Sequence, residues 1–367
     1  MDDSLLQAQL MRHAQHDART QQNLGPALAR GQVLARLHGR ERRDLLLDGT
    51  PRHQDIALDA MRAVDPAIEL VGVGAQSYEA PGWNDTVLRL AGETMAMLSL
   101  HHYAPGYGPD ELPLCHRPDH RALYPVIVSA PERVDELLSD AEAAIARHGH
   151  GGRMRIALDE WNTWVHPHYE CAEPAPYLLR DGPYAAGMYN VLHRHCRTLA
   201  LANLAQMVNV LGAIYTTPTG LFTTPVYLAN LLHVEHSGRL SVVTETESPT
   251  FAAPAEAFLP ARERAASVDA QATLAEDGQT LYLSVVNRNP YEAIAAEIDI
   301  EGAEIGREGC GAQLHGPHAL AGNSAENPET VRLRDLEPFV AASRFRYTFP
   351  AHSATVLELP VTRERGL

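Results

Sequence analysis

The sequence has few cysteines, and none of them are paired in a motif. Its four cysteines, Cys115, Cys171, Cys196 and Cys310, are scattered along 367 residues and form no C-x-x-C pair. Because structural zinc sites and disulfide frameworks need suitably spaced cysteines, we expect neither. Reduced thiols in a cytoplasmic protein are the simplest interpretation.

Long apolar runs and basic runs are also missing. No stretch of about 18 apolar residues occurs, so we expect no membrane span. The first residues, MDDSLLQAQLMRH, do not have the basic start and apolar run of a secretory signal. The net charge is −16, which would repel a polyanion, so we expect neither nucleic acid nor an anionic membrane as a partner. A neutral substrate such as a sugar is unaffected by this charge.

Aromatic residues are absent from the start of the chain, where the first is Tyr78. Residues 1–53 are instead rich in Arg, Gln, His and Leu, which is atypical of a packed domain because aromatic residues usually supply much of the core area. We therefore expect an atypical, poorly ordered segment at 1–53, a catalytic domain at 54–240 and a C-terminal domain at 241–367.

The pattern of apolar residues predicts an α/β region followed by an all-β region. Strand signals near 68–74, 95–101, 154–159 and 207–215 alternate with helical periodicity, which predicts parallel strands covered by helices. One helix is expected to open at Pro131 and to carry an apolar face from Val134 to Ile145. Another is expected to span 184–204, and a third to span 226–236. After residue 240, short strands are expected near 280–286, 293–300, 331–333, 345–349 and 354–359. The turns between strands, including the pair Asp277-Gly278, predict a β-sandwich.

The most informative segment is RIALDEWNTWV, residues 155–165. A β run ends in Asp159 and Glu160, and Trp161 and Trp164 follow. Catalytic groups of β/α barrels lie at the carboxyl ends of strands, and a carboxylate beside tryptophans that can pack on a sugar ring fits glycoside chemistry. A charged strand end with two core tryptophans fits the same pattern, and spacing alone leaves both interpretations open.

Two other segments are weaker. In LSLHHY, residues 98–103, the period-two spacing of His101 and Tyr103 would turn both side chains the same way. They could bind a carboxylate or a sugar hydroxyl, although taken alone the pair favours a structural role. Gln206, in NLAQMVNV, lies where the chain enters the predicted fourth strand, and alone it indicates little.

Together, and in this order, these segments resemble glycoside hydrolase family 51, the α-L-arabinofuranosidases. The resemblance covers about residues 54–360. The family's motifs are matched by the following segments of this sequence: Asp159-Glu160-Trp161-Asn162, Ser99-Leu100-His101 with Tyr103, and Asn203 to Asn209.

The resemblance implies a partial (β/α) TIM-type barrel of about four β/α units followed by a C-terminal β-sandwich. It implies that Glu160 is the nucleophile of a retaining glycosidase, that His101 and Tyr103 orient it, and that Trp164 and Gln206 line the site for the terminal arabinofuranose. The expected substrate is an arabinose-containing oligosaccharide, no cofactor or metal is expected, and a homo-oligomer would fit the family.

One part of the family's pattern is not matched. Retention needs a second carboxyl group as acid/base, which the family supplies from an Asn-Glu pair upstream of residue 54. This sequence contains no Asn-Glu pair, and its one glutamate before Glu69 is Glu41, between Arg40 and Arg42. Arginine neighbours favour an ionised carboxylate, which is the wrong tendency for a general acid.

Three hypotheses follow. The chain is an arabinofuranosidase impaired by the absent acid/base, a catalytically inactive truncated relative that at most binds sugar or a partner, or a related glycosidase with another sugar specificity.

A metal enzyme is not favoured. The pair His166-x-His168 lies in a Pro-broken segment, and His193-x-His195 lies on a predicted helix, where positions i and i+2 do not share a face and solvent exposure is expected.

Overall fold

The computed structural model describes residues 60–75, 80–106, 119–165 and 177–364. The chain divides into two compact units, residues 1–68 and 69–367, and residues 60–64 of the first unit are helical. The predictions for residues 1–53, Glu41 and the pair His166 and His168 lie outside the described residues.

A parallel sheet carries the first half of the second unit. Its four strands are adjacent in chain order and pair in parallel. They are β1 (Val71–Val73), β2 (Met97–Pro105), β3 (Arg155–Trp164) and β4 (Leu199–Leu204). Most residues of Ile156–Leu158 and Leu98–Leu100 are fully buried, as expected for parallel strands covered on both faces. The predicted β/α alternation is confirmed at this level.

The helices follow the strands as the alternation predicts. They are α1 (Trp83–Ala91), α2 (His120–Arg147), α3 (Asp181–Arg194) and α4 (Pro225–Glu235). The apolar face predicted for α2, Val134 to Ile145, is buried. The predicted start at Pro131 is wrong, because the helix begins eleven residues earlier, at His120. Asp119 caps it there by accepting from the backbone N–H groups of Arg121 and Ala122.

The fourth strand is displaced from its predicted position. The expected helix at 184–204 ends at Arg194, and residues 199–204 form β4 instead of the expected 207–215. The run LALANL contains good helix formers, which explains the error. Pairing with β3, through Ile156 with Leu199 and Leu158 with Ala202, outweighs that local preference.

The second half of the unit is antiparallel. Its strands are β5 (Ile214–Thr217), β6 (Gly220–Thr223), β7 (Leu240–Val242), β8 (Thr250–Ala253), β9 (Arg262–Ala266), β10 (Val268–Leu274), β11 (Thr280–Asn287), β12 (Ile294–Asp299), β13 (Ala303–Ile305), β14 (Glu308–His315), β15 (Arg332–Asp335), β16 (Phe339–Val340), β17 (Arg344–Phe349) and β18 (Ser353–Glu364). The main sheet has the order β15-β14-β18-β11-β10-β7. The pair β12–β17 packs on it through a shared apolar core that includes Leu283, Phe349 and Leu357, so the predicted two-layered β architecture is found.

Ion pairs connect α2 and α3 to the antiparallel strands. Arg288, which is fully buried, donates to Glu132 of α2. Arg194 of α3 contacts both Asp135 of α2 and Asp269 of β10, at 3.1 and 3.2 Å. Buried charges of this kind are costly unless paired, so the network fixes the helices against the antiparallel layer.

Candidate active site at the ends of β2 and β3

The candidate site lies where β2 and β3 reach their carboxyl ends. In the parallel register, His101 pairs with Glu160 and Tyr103 with Asn162. Alternation along β2 leaves His101 exposed and turns His102 into the core. The strands predicted to carry the chemistry therefore bring His101, Tyr103 and Glu160 together.

A β-bulge on β3 shapes this site. Leu100 pairs with Leu158, but the next residue, His101, pairs with Glu160, so Asp159 is an extra residue on β3. The pairing with β4 is also irregular between Leu158 and Trp161. A bulge re-aims side chains and is common beside active sites. Here it allows two consecutive carboxylates to approach one imidazole.

The contacts converge on one oxygen of Glu160. The Tyr103 hydroxyl donates to Oε2 of Glu160 at 2.9 Å, and Nδ1 of His101 lies 3.5 Å from the same oxygen. The Glu160 side chain is 47% exposed, so the carboxylate is held by its neighbours and still open to solvent. This is an arrangement in which a carboxylate can act as a nucleophile on a bound molecule.

Asp159 and Ser99 lie on the other side of His101. The Ser99 hydroxyl donates to Oδ1 of Asp159 at 2.7 Å, and the same oxygen lies 3.3 Å from Nε2 of His101. Ser99 is positioned by the close approach of β1. Gly74 donates its N–H to the Ser99 carbonyl oxygen, and a Cβ at Gly74 would lie 2.4 Å from that oxygen.

The two tryptophans differ in position. Trp164 is partly exposed and meets Tyr103 edge-to-face, with ring centroids 5.2 Å apart. Trp161 is 1% exposed and packs against Tyr184 and Tyr189, so the suggestion that it could stack on a sugar is wrong. Only Trp164 of this pair is available to a ligand.

Gln206 lies just beyond β4, the strand next to β3, and its side chain is exposed. The segment that carries it, residues 205–211, is held by Asn162, which is fully buried. The Asn162 amide donates to the Ala205 carbonyl at 2.7 Å and to the Leu211 carbonyl at 2.9 Å. Sequence reasoning did not assign Asn162 a role, although it lies within the segment that carries Glu160.

Other predicted features can be placed as well. Within the described ranges, no group of three or more His, Cys, Asp or Glu side chains could hold a metal ion. His195 is not solvent-exposed as expected, because its ring lies between Glu142 and Asp135, at 2.9 and 3.4 Å. Burial lowers the pKa of His195, but the hydrogen bonds to these carboxylates outweigh it and raise the pKa above its usual range. Among the helices that the structure describes, none has the length and apolarity needed to span a membrane.

Comparisons with known proteins identify the family of this chain. The model of the family "Alpha-L-arabinofuranosidase C-terminal domain" matches residues 159–353, more than half of the chain. The chain belongs to the α-L-arabinofuranosidases of glycoside hydrolase family 51. The resemblance inferred from the three motifs is therefore confirmed.

The matches to individual relatives cover only part of the length of those relatives. An "Intracellular exo-alpha-(1->5)-L-arabinofuranosidase" of Acetivibrio thermocellus is 25% identical over 66% of this chain and 49% of that protein. One of the same name from Bifidobacterium longum is 26% identical over 77% of this chain and 54% of that protein. The chain thus spans about half the length of these curated relatives.

A solved structure shows the same fold. The α-L-arabinofuranosidase of Thermotoga maritima, crystallised as an arabinose complex, superposes with a TM-score of 0.72 and 32% identity, covering 85% of this chain and 62% of that chain. The likeness therefore includes both the parallel and the antiparallel parts of the described chain.

Proposed function

We propose that this chain acts on terminal non-reducing α-L-arabinofuranosyl groups by a retaining mechanism in which Glu160 is the nucleophile. The observation that carries the proposal is the position of Glu160. It lies at the carboxyl end of a buried parallel strand, is half exposed, and has Oε2 held by Tyr103 and His101. Family membership and the names of the relatives, which act on arabinofuranosides, support the substrate class.

The proposed chemistry has two steps. The Glu160 carboxylate attacks the anomeric carbon, the glycosidic bond breaks, and the leaving oxygen takes the bonding electron pair. Water then attacks the anomeric carbon of the arabinosyl ester, and the ester bond breaks with its electron pair returning to the Glu160 carboxylate. The proton that the water loses passes to solvent, from which the departed oxygen takes one. Trp164 and Gln206 would line the site for the terminal sugar. The parallel sheet would be part of a (β/α) barrel in a domain that spans 54–240, and the antiparallel domain would span 241–367.

We further propose that the reaction is impaired, because no acid/base glutamate is found in the sequence. A positioned general acid or base typically contributes about 10²–10⁴-fold to the rate. Asp159 also contacts the His101 imidazole and is therefore the carboxylate next to consider as an acid/base. Its Oδ1 already accepts a hydrogen bond from Ser99.

A truncated relative that binds sugar without turnover, or that binds a partner, is the alternative. A third candidate is a related glycosidase with another sugar specificity, which comparing aryl glycosides of different sugars would test.

We expect the protein to act in the cytoplasm, to bind an arabinose-containing oligosaccharide and to self-associate. We expect no nucleic acid, membrane or cofactor as a partner. The intracellular names of relatives support the compartment. Size-exclusion chromatography with light scattering tests the self-association.

Kinetics with graded leaving groups test the proposed function. The complete chain is incubated with 2,4-dinitrophenyl and 4-nitrophenyl α-L-arabinofuranosides and with arabinan oligosaccharides, with and without azide. We expect cleavage of the activated aryl substrates, acceleration by azide as an external nucleophile, and negligible cleavage of arabinan. Cleavage of arabinan at a rate like that of the aryl substrates would contradict the missing acid/base. The inactive alternative predicts no reaction with any substrate.

A further inference from the structure

The contacts on the far side of His101 carry an inference about how the proposed nucleophile is oriented. Ser99, Asp159, His101 and Glu160 form a continuous chain of polar contacts. The distances are 2.7 Å from Ser99 Oγ to Asp159 Oδ1, 3.3 Å from Asp159 Oδ1 to His101 Nε2, and 3.5 Å from His101 Nδ1 to Glu160 Oε2. Each ring nitrogen of His101 therefore faces a different carboxylate.

Strand geometry shows that this arrangement depends on the bulge. Ser99 and His101 lie two apart on β2 and share a face, as alternation requires. Asp159 and Glu160 are consecutive on β3 and would point to opposite faces of a regular strand. The extra residue at Asp159 breaks the alternation, and the bulge disrupts part of the β2–β3 ladder.

We propose that Asp159 is a positioning residue for His101. Ser99, which is 8% exposed, fixes the Asp159 carboxylate by donating a hydrogen bond. Asp159 Oδ1 faces Nε2 of His101 at 3.3 Å, which sets the rotation of the ring and directs its Nδ1 edge at Glu160. The role matches that of a carboxylate that orients a histidine in other catalytic groups.

The same geometry selects the attacking oxygen. Tyr103 and His101 both approach Oε2 of Glu160, so Oε1 is directed to the anomeric carbon. This inference rests on the proposed function, because it takes Glu160 as the nucleophile. A purely structural alternative is that the Ser99–Asp159 bond only ties β2 to β3.

A double-mutant cycle separates these two roles. The rate of the first burst of dinitrophenolate from 2,4-dinitrophenyl α-L-arabinofuranoside is measured by stopped flow for the complete chain and for Asp159→Ala, His101→Ala and the double variant. We expect Asp159→Ala to slow the burst by about 10- to 100-fold, as misplacement of a reacting group does. If Asp159 acts through His101, it should change the rate less than about twofold in the His101→Ala background. Equal losses in both backgrounds, or none in either, would overturn the proposal.

Three further variants guard against a folding defect. Ser99→Ala should slow the burst and Ser99→Thr, which keeps the hydroxyl, should restore it. Asp299→Ala removes an exposed carboxylate that pairs with Arg344 in the antiparallel part, and it should leave the rate unchanged. If Asp159→Ala does not fold, the comparison of Ser99→Ala with Ser99→Thr decides, and failure of threonine to restore the rate counts against the proposal.

The proposal can fail separately from the proposed function. Absence of a burst in the unmodified chain would refute the function, while the orientation of His101 can still be read from the ¹⁵N shifts of its imidazole, assigned with His101→Ala. We expect Asp159→Ala to shift both ring nitrogens, because Nε2 loses the carboxylate that faces it and the ring is free to rotate. Identical imidazole shifts in the two proteins would overturn the positioning role whatever the activity.

Discussion

At the scale of single residues, the orientation of the Glu160 carboxylate depends on contacts with neighbouring side chains. The carboxylate is open to solvent, yet Tyr103 and His101 restrict which oxygen faces outward. A hydrogen bond to a charged group contributes about 1.5–3 kcal/mol, which is enough to orient an otherwise mobile side chain.

Tyr103→Phe tests this restriction. The phenyl ring keeps the edge contact with Trp164 but removes the hydroxyl that donates to Glu160. We expect the burst rate with the dinitrophenyl arabinofuranoside to fall about 10-fold, with little change in thermal stability. Tyr291→Phe, at a tyrosine that is 87% exposed, is the matched control. A rate unchanged by Tyr103→Phe would show that the hydroxyl does not position the nucleophile.

The sequence identified the residues of the site better than it identified their contacts. His101, Tyr103 and Glu160 are found together because the carboxyl ends of adjacent parallel strands meet. The approach of Asp159 to His101 could not be predicted, because consecutive residues on a strand normally face opposite ways. Trp161 was misassigned for a related reason, since composition does not show which tryptophan faces the core.

At the scale of elements, the segment between β4 and β5 depends on one buried amide. Asn162 joins β3 to residues 205–211, and Tyr177 adds a hydrogen bond to the Leu211 carbonyl at 2.7 Å. This bracing explains why residues 207–213 are not the strand that their apolar run predicts. Within this segment the Val210 and Leu211 carbonyls accept from side chains. The Met207 carbonyl and the Asn209 N–H instead bond to the backbone of Ile214 at the start of β5.

We expect Asn162→Ala to loosen this segment. The Ala205 carbonyl loses its donor, which costs about 1–3 kcal/mol for an unsatisfied group. The Leu211 carbonyl keeps the Tyr177 hydroxyl but loses its link to β3. Urea unfolding should show the lower stability, and hydrogen exchange should accelerate in residues 205–211 before it does elsewhere. Asn203→Ala, at an exposed residue of β4, is the control. Unchanged protection of residues 205–211 in Asn162→Ala would contradict the bracing role.

Elements with a clear amphipathic pattern were predicted well. The buried face of α2 and the late strands β11, β12, β17 and β18 match their predicted positions, because a single apolar face decides their structure. The start of α2 and the position of β4 were predicted wrongly. The Asp119 cap and the pairing of β3 with β4 are decided by contacts that the local pattern does not contain.

At the scale of the whole molecule, two buried histidines link stability to pH. Burial lowers the pKa of His102 and of His233 to about 4 from the ordinary value of 6.5. The folded state therefore keeps both rings neutral, whereas the unfolded state takes up protons as the pH falls below 6.5. The stability is fully present above pH 6.5 and is lost as the pH falls from 6.5 to about 4.

We expect the free energy of unfolding to fall by about 3 kcal/mol per histidine across this window, at 1.36 kcal/mol per unit of pKa. Urea unfolding at several pH values measures it. His233→Phe keeps the stacking on Tyr189, whose ring centroid lies 4.6 Å from that of His233, and should reduce the slope. A matched substitution at exposed His318, His318→Gln, is the control. If the free energy of unfolding of His233→Phe depends on pH as steeply as that of the unmodified chain, His233 does not contribute to the pH dependence.

The central claim is that Glu160 forms a covalent bond to arabinose and lacks an efficient partner to release it. Intact-mass spectrometry of the complete chain after brief incubation with 2,4-dinitrophenyl α-L-arabinofuranoside tests it most directly. The account predicts a mass increase of one arabinosyl group, located on Glu160 by peptide mapping, persisting after the burst and absent from Glu160→Gln. No adduct, or an adduct on another residue or on Glu160→Gln, would contradict it.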